Sequence, residues 1–156
     1  MKVVLIEPEI PQNTGNIARL CACTGVELIL VGKLGFSLED KYLKRAGLDY
    51  WQYVKIKIIN TIDLFFEKYS SKCYQYAFIS TKGEKIYNMI DTNKIKNLLL
   101  IFGNETSGLP SYIYKNYCDK LYRIPIADYS RSLNLSNAAA TVTYFILEKN
   151  SFQHLS

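Results

Sequence analysis

Short apolar runs, each followed by a polar loop, are the feature that most constrains the fold of this 156-residue chain. Lys2–Ile6 is a β-branched run that stops at an acidic residue and a proline, and Glu27–Val31 and Leu98–Phe102 are similar runs. Segments with helical spacing lie between them. Continuous apolar strands that alternate with helices are typical of a mostly parallel sheet covered by helices on both faces. The length predicts a single α/β domain over residues 1–156.

Helices are predicted from apolar periodicity and from residues that begin or end a helix. A stripe of apolar residues at helical spacing predicts a first helix that follows Pro11 and ends near Gly25. Ser136 is a suitable N-cap for a long helix that runs to about Lys149. The other predicted elements are strands over residues 53–59, 74–80 and 120–124, and helices over residues 37–46, 61–69 and from Pro110 onward.

Composition excludes several classes of protein. No apolar run approaches the roughly 20 residues needed to span a bilayer, and the N-terminal run is too short for a signal peptide. We therefore expect a cytoplasmic protein without a membrane partner. Nineteen Lys and Arg residues against fourteen Asp and Glu give a net charge of +5, which is compatible with a polyanionic partner.

Histidine and cysteine content limits the possible chemistry. The single histidine, His154, lies near the C-terminus, so Ser-His-Asp catalysis, Cys-His catalysis and histidine-based metal sites are not expected. The cysteines form no CxxC pair, and we predict no metal site. We interpret all four as small buried side chains in a reducing compartment; they are Cys21, Cys23, Cys73 and Cys118.

Polar loops follow three of the predicted strands, at residues 7–15, 103–109 and 125–134. Ligands of open α/β sheets bind beyond the carboxyl ends of the strands. The second loop lacks GxxxxGK[ST] and the chain has no GxGxxG, so a tight turn is the simplest interpretation of its two glycines. Residues 130–137 hold three serines, two asparagines and an arginine, more than helix capping requires. The third loop therefore predicts a polar binding site.

Three segments resemble the motifs of a known family. Residues 7–19 resemble the first motif of the SPOUT RNA ribose 2′-O-methyltransferases, residues 102–110 the second and residues 123–138 the third. The similarity extends between the motifs, through residues 35–36 and 45–50. Together with the absence of an N-terminal RNA-binding extension, this resembles the tRNA (cytidine(34)-2′-O)-methyltransferases within that superfamily.

The resemblance implies a fold, a reaction and partners. The C-terminal segment is expected to form a deep trefoil knot that binds S-adenosylmethionine, and two chains are expected to form a homodimer. The expected reaction is methyl transfer to the ribose 2′-hydroxyl of nucleotide 34 of tRNA, a cytidine or a modified uridine. Two alternatives stay open: the same chemistry on ribosomal RNA or at another tRNA position, and a non-catalytic knot protein that binds RNA.

The resemblance also implies roles for individual residues. Arg19 is the candidate general base, although a guanidinium pKa above about 12 makes a phosphate-binding or hydroxyl-orienting role at least as reasonable. Further candidates for the catalytic and substrate pocket are Asn16, Glu105, Ser132 and Asn134. Expected cofactor contacts are Ile79, Ser80, Thr81, Gly103, Ile124, Ser132 and Leu133. The missing Cβ of Gly103 is expected to let the adenosine approach the chain closely.

Contacts with RNA are expected from basic side chains. Ser107 stands where relatives often carry a basic residue, and this shifts the expected phosphate contacts to other positions. Those positions are Lys41, Lys44, Arg45, Lys82 and Arg131. For the first three, a solvated helix face is an equally good interpretation.

Overall fold

A seven-stranded parallel sheet is the centre of the computed structural model, which describes residues 1–38, 50, 53–153 and 155. The strands of this described part are β1 (Lys2–Ile6), β2 (Glu27–Val31), β3 (Ile56–Ile59), β4 (Gln75–Ile79), β5 (Lys85–Ile86), β6 (Leu98–Phe102) and β7 (Leu121–Arg123). Their order in the sheet is β3-β2-β1-β6-β4-β7-β5, and every neighbouring pair is parallel. The last strand, β7, is thus inserted between β4 and β5, which are consecutive in the sequence.

Helices cover the sheet. Among the described residues the α-helices are α1 (Pro11–Thr24), α2 (Ile62–Lys68), α3 (Ser111–Asn116) and α4 (Leu135–Lys149). Gly25 ends α1 in the left-handed conformation, with φ 66°, and the Thr61 side chain accepts a hydrogen bond from the Leu64 amide at the start of α2. Within the described part of the chain, none of the helices is both long and apolar enough to cross a membrane.

Two hydrophobic layers form because successive side chains of a strand point to opposite faces. On β6, Leu98 and Leu100 pack with α1 and α4, whereas Leu99 and Ile101 pack with α2 and α3. Every residue of β6 is buried, which explains why this strand is an uninterrupted apolar run. The predicted parallel sheet with helices on both faces is confirmed.

Several predicted boundaries differ from the observed ones. The prediction of Ser136 as the N-cap of the last helix is wrong, because the Asn134 side chain accepts a hydrogen bond from the Ser136 amide and α4 begins at Leu135. The strand predicted over residues 53–59 covers only Ile56–Ile59. The two-residue strand β5 was too short to give a sequence pattern. Most of the helix predicted over residues 37–46 lies outside the described residues.

The prediction that all four cysteines are buried is wrong for three of them. Cys21 is buried on the inner face of α1, and burial raises the pKa of its thiol to about 12. Cys23, Cys73 and Cys118 are exposed. Cys23 lies on the outer face of α1 and the other two lie outside the long apolar runs, so no core position holds them.

Candidate functional site

A cavity of about 520 Å³ lies beyond the carboxyl ends of β4, β6 and β7 and is called the strand-end cavity below. The residue directly after each of these strands lines it: Ser80 after β4, Gly103 after β6 and Ile124 after β7. Its volume falls in the range of about 300–1,000 Å³ that is usual for small-molecule sites. The structure brings all seven predicted cofactor contacts to its wall: Ile79, Ser80, Thr81, Gly103, Ile124, Ser132 and Leu133.

The other predicted site residues divide into three groups. Glu105, Asn134, Lys82 and Arg131 also line the strand-end cavity. Asn16 and Arg19 do not line it; both are exposed on the outer face of α1. The third group, Lys41, Lys44 and Arg45, lies outside the described residues.

The carboxylate of Glu105 holds the start of α1. It accepts hydrogen bonds from the backbone N–H groups of Glu9 at 2.9 Å and Ile10 at 3.2 Å, and from Nδ2 of Asn13 at 3.0 Å. Both amides lie just before α1, because Ile10 is its N-cap residue and Glu9 precedes Ile10. Glu105 therefore fixes the chain at the entry to α1 and places a negative charge near the helix N-terminus, where such a charge is favourable.

Asn13 links this carboxylate to the third motif. Its side chain is almost fully buried, at 5% exposure, and its Oδ1 accepts a hydrogen bond from Nδ2 of Asn134 at 2.9 Å. Oδ1 of Asn134 in turn accepts hydrogen bonds from the amide and the hydroxyl of Ser136, at 2.9 and 2.7 Å. A continuous hydrogen-bond chain, Glu105–Asn13–Asn134, thus joins all three motifs.

Asn13 was not predicted as a site residue, although the sequence contains a signal for it. It lies four residues before Ile17 and therefore shares the buried face of α1. A polar side chain on such a face needs a hydrogen-bond partner. Tyr114, which also lines the cavity, gave no comparable signal, because a tyrosine in a short helix is typical of ordinary packing.

The loop over residues 103–109 is fixed by its own side chains. Oδ1 of Asn104 accepts hydrogen bonds from the amides of Thr106, Ser107 and Gly108, at 3.1, 2.6 and 3.2 Å. The hydroxyl of Thr106 donates to the carboxylate of Glu9, which lies in the first motif. The loop is therefore held both within itself and against the start of α1.

The packing of this loop requires a glycine at position 103, whether or not a ligand is bound. A Cβ atom at Gly103 would lie 2.1 Å from the carbonyl carbon of Gly108 and 2.3 Å from the amide nitrogen of Leu109. Real Cβ atoms are never this close to backbone atoms. The expected reason for the glycine, close approach of an adenosine, is therefore secondary to the packing of the loop on itself.

Arg19 contacts an aromatic ring outside the cavity. Its guanidinium carbon lies 4.8 Å from the centroid of the Tyr50 ring, within the distance of a cation–π contact. It follows Asn13 by six residues, which is about 9 Å along the helix axis. Arg19 therefore lies outside the cavity, on the exposed face of α1.

Comparison with known proteins identifies the family. Residues 1–144 match the sequence profile of the SpoU rRNA Methylase family. The chain belongs to the SpoU methylase family. It is 43% identical over 148 residues to a Yersinia pestis protein named tRNA (cytidine(34)-2′-O)-methyltransferase, covering 92% of this chain and 90% of that protein. The resemblance stated from the three motifs is confirmed.

Solved structures extend this likeness to the SpoU fold. One is the structure of a protein studied for the 2-OH methylation of C/U34 on tRNA. That protein is 34% identical to this chain, and the two structures superimpose with a TM-score of 0.85 over 97% of this chain and 96% of the other. Another, an AdoMet-bound rRNA methyltransferase from Sinorhizobium meliloti, is 28% identical with a TM-score of 0.83. It covers 99% of this chain and 57% of the longer protein.

Asn13→Asp tests the hydrogen-bond chain. The substitution replaces the Nδ2 donor by an oxygen and places two carboxyl groups about 3.0 Å apart. Their repulsion raises the pKa of one of them, so the folded variant binds an extra proton and regains stability as the pH falls. We expect a loss of about 3 kcal/mol in the free energy of unfolding at neutral pH, partly recovered at about pH 5.

The matched control is Asn16→Asp, which makes the same change on the exposed face of the same helix. Urea unfolding at the two pH values compares the variants. Equal stability of the two variants at both pH values would contradict the bond between Asn13 and Glu105.

Gly103→Ala tests the packing of the second loop. We expect it to lower the free energy of unfolding by about 3 kcal/mol, because the new methyl group overlaps the backbone of Gly108 and Leu109. Gly25→Ala is the control: Gly25 has φ 66° but no atom within 4 Å of its Cβ position, so only the conformational cost of about 1 kcal/mol applies. Equal costs in urea unfolding would refute the assigned role of Gly103.

Proposed function

We propose that this SpoU-family protein transfers a methyl group from S-adenosylmethionine to the ribose 2′-hydroxyl of nucleotide 34 of tRNA, a cytidine or a modified uridine. The observation that carries the proposal is the strand-end cavity, where the loops of all three motifs meet around the seven expected cofactor contacts. The names of the similar proteins support the choice of tRNA and of the ribose hydroxyl. A cytoplasmic location is part of this proposal.

The strand-end cavity fits S-adenosylmethionine in size and in chemistry. Its volume of about 520 Å³ is suitable for a nucleoside with an amino-acid side arm. Ile79, Ile124 and Leu133 give apolar surfaces for an adenine ring, and Gly103 lies in the wall beside them. When bound, the cofactor supplies an electrophilic methyl group on its sulfonium.

The residues of the chain contribute mainly by positioning, which suits an in-line displacement. Glu105 is a positioning residue, because three N–H donors already occupy its carboxylate. It holds the first and second motifs together, and Asn134 is held in turn through Asn13. Ser132 then borders the pocket in which the ribose would lie.

Arg19 is proposed to bind and orient the RNA from the exposed face of α1. Its guanidinium carries a fixed charge and a planar set of donors that match a phosphate. Outside the cavity and free of any acidic partner among the described residues, it can reach a phosphate beside the target ribose. Asn16, one turn earlier on the same helix, is proposed to assist it, and the 2′-hydroxyl proton passes to water.

Further RNA contacts are proposed at basic side chains around the cavity. Arg131 lies in the exposed loop that forms one wall, where it can reach a phosphate. Lys41, Lys44 and Arg45 belong to the same proposal as a basic cluster, although no geometry is described for them.

The proposal includes a C-terminal trefoil knot and a homodimer. The position of β7 between the consecutive strands β4 and β5 supports the knot, because the final part of the chain must pass beside the β4–β5 connection. The Ser80 amide, at the start of this connection, donates a hydrogen bond of 2.9 Å to the carbonyl oxygen of Tyr122 in β7. Tyr144, 46% exposed on α4, is an aromatic side chain that a second copy of the chain could cover.

Nucleoside mass spectrometry of tRNA, from cells with and without this protein, tests the function. We expect the 2′-O-methyl group at nucleotide 34 to disappear without the protein, and calorimetry of the pure protein to show binding of S-adenosylmethionine. Loss of a methyl group from ribosomal RNA instead would contradict the choice of substrate. A protein that does not bind S-adenosylmethionine would contradict the enzyme assignment.

Arg19→Lys tests the positioning role. The substitution keeps a positive charge but removes the planar set of donors, so we expect most of the activity to be lost. Raising the pH from about 7 to 9 should not restore it, although lysine, with a reference pKa near 10.4, deprotonates more readily than arginine. Cofactor affinity, measured by calorimetry, should stay close to that of the wild type.

Recovery of activity with pH would show instead that proton removal dominates. Arg19→Ala is the stronger test, because it removes both the positive charge and the N–H donors of the side chain. Full activity of that variant would refute either role for Arg19.

A further inference from the structure

The wall of the strand-end cavity holds two cationic side chains that form no ion pair with any acidic side chain of the described residues. Three charged residues line the cavity there: Lys82, Arg131 and Glu105. The Glu105 carboxylate accepts three hydrogen bonds from the residues at the start of α1, and it forms no ion pair with Lys82 or Arg131 in the described part of the chain. The ion pairs found in the described ranges are elsewhere, between Glu27 and the ammonium groups of Lys2 and Lys57.

Lys82 is held in place by an aromatic ring. Its ammonium nitrogen lies 4.8 Å from the centroid of the Tyr114 ring, where the negative face of the ring attracts a cation. The hydroxyl of Tyr114 lies 3.1 Å from Oγ of Ser80, which also accepts a hydrogen bond from the Lys82 amide at 3.2 Å. Lys82, Tyr114 and Ser80 therefore form a connected group at the end of β4.

The backbone beneath Lys82 is also fixed. The next residue, Gly83, donates a hydrogen bond from its amide to the Ser80 carbonyl at 3.1 Å. A Cβ atom at Gly83 would lie 2.5 Å from the carbonyl carbon of Tyr122, so this turn packs directly on β7. Lys82 is itself exposed, and its side chain extends from a turn whose backbone is fixed.

A cation–π contact leaves the N–H donors of the ammonium group available. Lysine has three such donors and no acceptor, and the face of an aromatic ring competes only weakly for them. The group that complements this arrangement is an oxygen anion. Two sources of that chemistry reach the cavity under the proposed function: the carboxylate of the cofactor's amino-acid arm and a phosphate of the RNA.

We propose that Lys82, held by Tyr114 and Ser80, is a binding site for an oxygen anion of a ligand in the strand-end cavity. The ammonium of Lys82 makes the direct contact, and Tyr114 is a positioning residue that acts through it. This inference rests on the proposed function, because the carboxylate and the phosphate belong to its cofactor and its substrate.

Lys82→Met and the control Lys85→Met test the site. Both remove one positive charge from neighbouring positions, but the Lys85 ammonium donates to the carbonyl oxygen of Asp119 and does not line the cavity. Calorimetry measures the binding of S-adenosylhomocysteine, which carries the carboxylate, and of 5′-methylthioadenosine, which lacks the whole amino-acid arm. If the carboxylate is the ligand, Lys82→Met weakens the binding of S-adenosylhomocysteine at least about tenfold. The affinity for 5′-methylthioadenosine then stays unchanged.

The second arm measures tRNA binding as a function of salt concentration. If a phosphate is the ligand, Lys82→Met lowers the slope of log affinity against log salt by about 1, and Lys85→Met lowers it by less. A Lys82→Met variant that matches Lys85→Met in both arms overturns the proposal. If the wild-type protein binds neither nucleoside, the result contradicts the proposed function, and this inference then fails as well.

Two variants of Tyr114 separate its positioning role from a general effect on folding. Tyr114→Phe keeps the ring beneath the ammonium but removes the hydroxyl that contacts Ser80. Tyr114→Leu removes the ring. We expect Tyr114→Leu to weaken the same ligand that Lys82→Met weakens, and Tyr114→Phe to retain most of the affinity. Equal losses in both variants, or none in either, would refute the role of the ring.

Discussion

The carboxylate of Glu105 is the group on which the geometry of the site depends. It lies in the second motif, yet it accepts hydrogen bonds from the two backbone N–H groups that directly precede α1. Through Asn13 the same carboxylate reaches Asn134, across sequence separations of 92 and 121 residues. Hydrogen bonds to a charged group contribute about 1.5–3 kcal/mol each, and a buried partner left without one is costly. The three motifs are therefore fixed relative to one another by a few polar contacts.

The parallel sheet determines where those contacts can form. Because β4, β6 and β7 are parallel, their carboxyl ends meet at one edge, and the loops that follow them face each other. The strands themselves are buried on both faces and are filled with apolar side chains. The loops supply the polar groups and leave a cavity of about 520 Å³ between them. Rigid strands and short loops together place the site.

The parts of the structure that depend on local sequence were predicted well. Apolar runs predicted β1, β2 and β6 at their observed bounds, since burial on both faces requires continuous apolar residues. The seven expected cofactor contacts line the cavity, because each lies at the carboxyl end of β4, β6 or β7 or in the loop that follows. The roles assigned to those contacts stay predictions.

The parts that depend on distant residues were missed. The reason for Gly103 is its contact with Gly108, which no residue pattern shows. Asn134, rather than Ser136, caps α4 because its amide is already oriented by Asn13. Tyr114 reaches Ser80 only in the folded chain. In each case the contact that matters joins two elements that are brought together by the topology of the sheet. Local sequence propensity cannot predict such a contact.

The most direct test of the central claim is methyl transfer by the purified protein to a single defined tRNA. The experiment supplies labelled S-adenosylmethionine and compares an unmodified tRNA with the same tRNA in which only nucleotide 34 has a 2′-deoxyribose. The account predicts that the first tRNA gains one methyl group on the ribose of nucleotide 34 and that the second gains none. Equal labelling of both tRNAs, or a methyl group on a base, would contradict it.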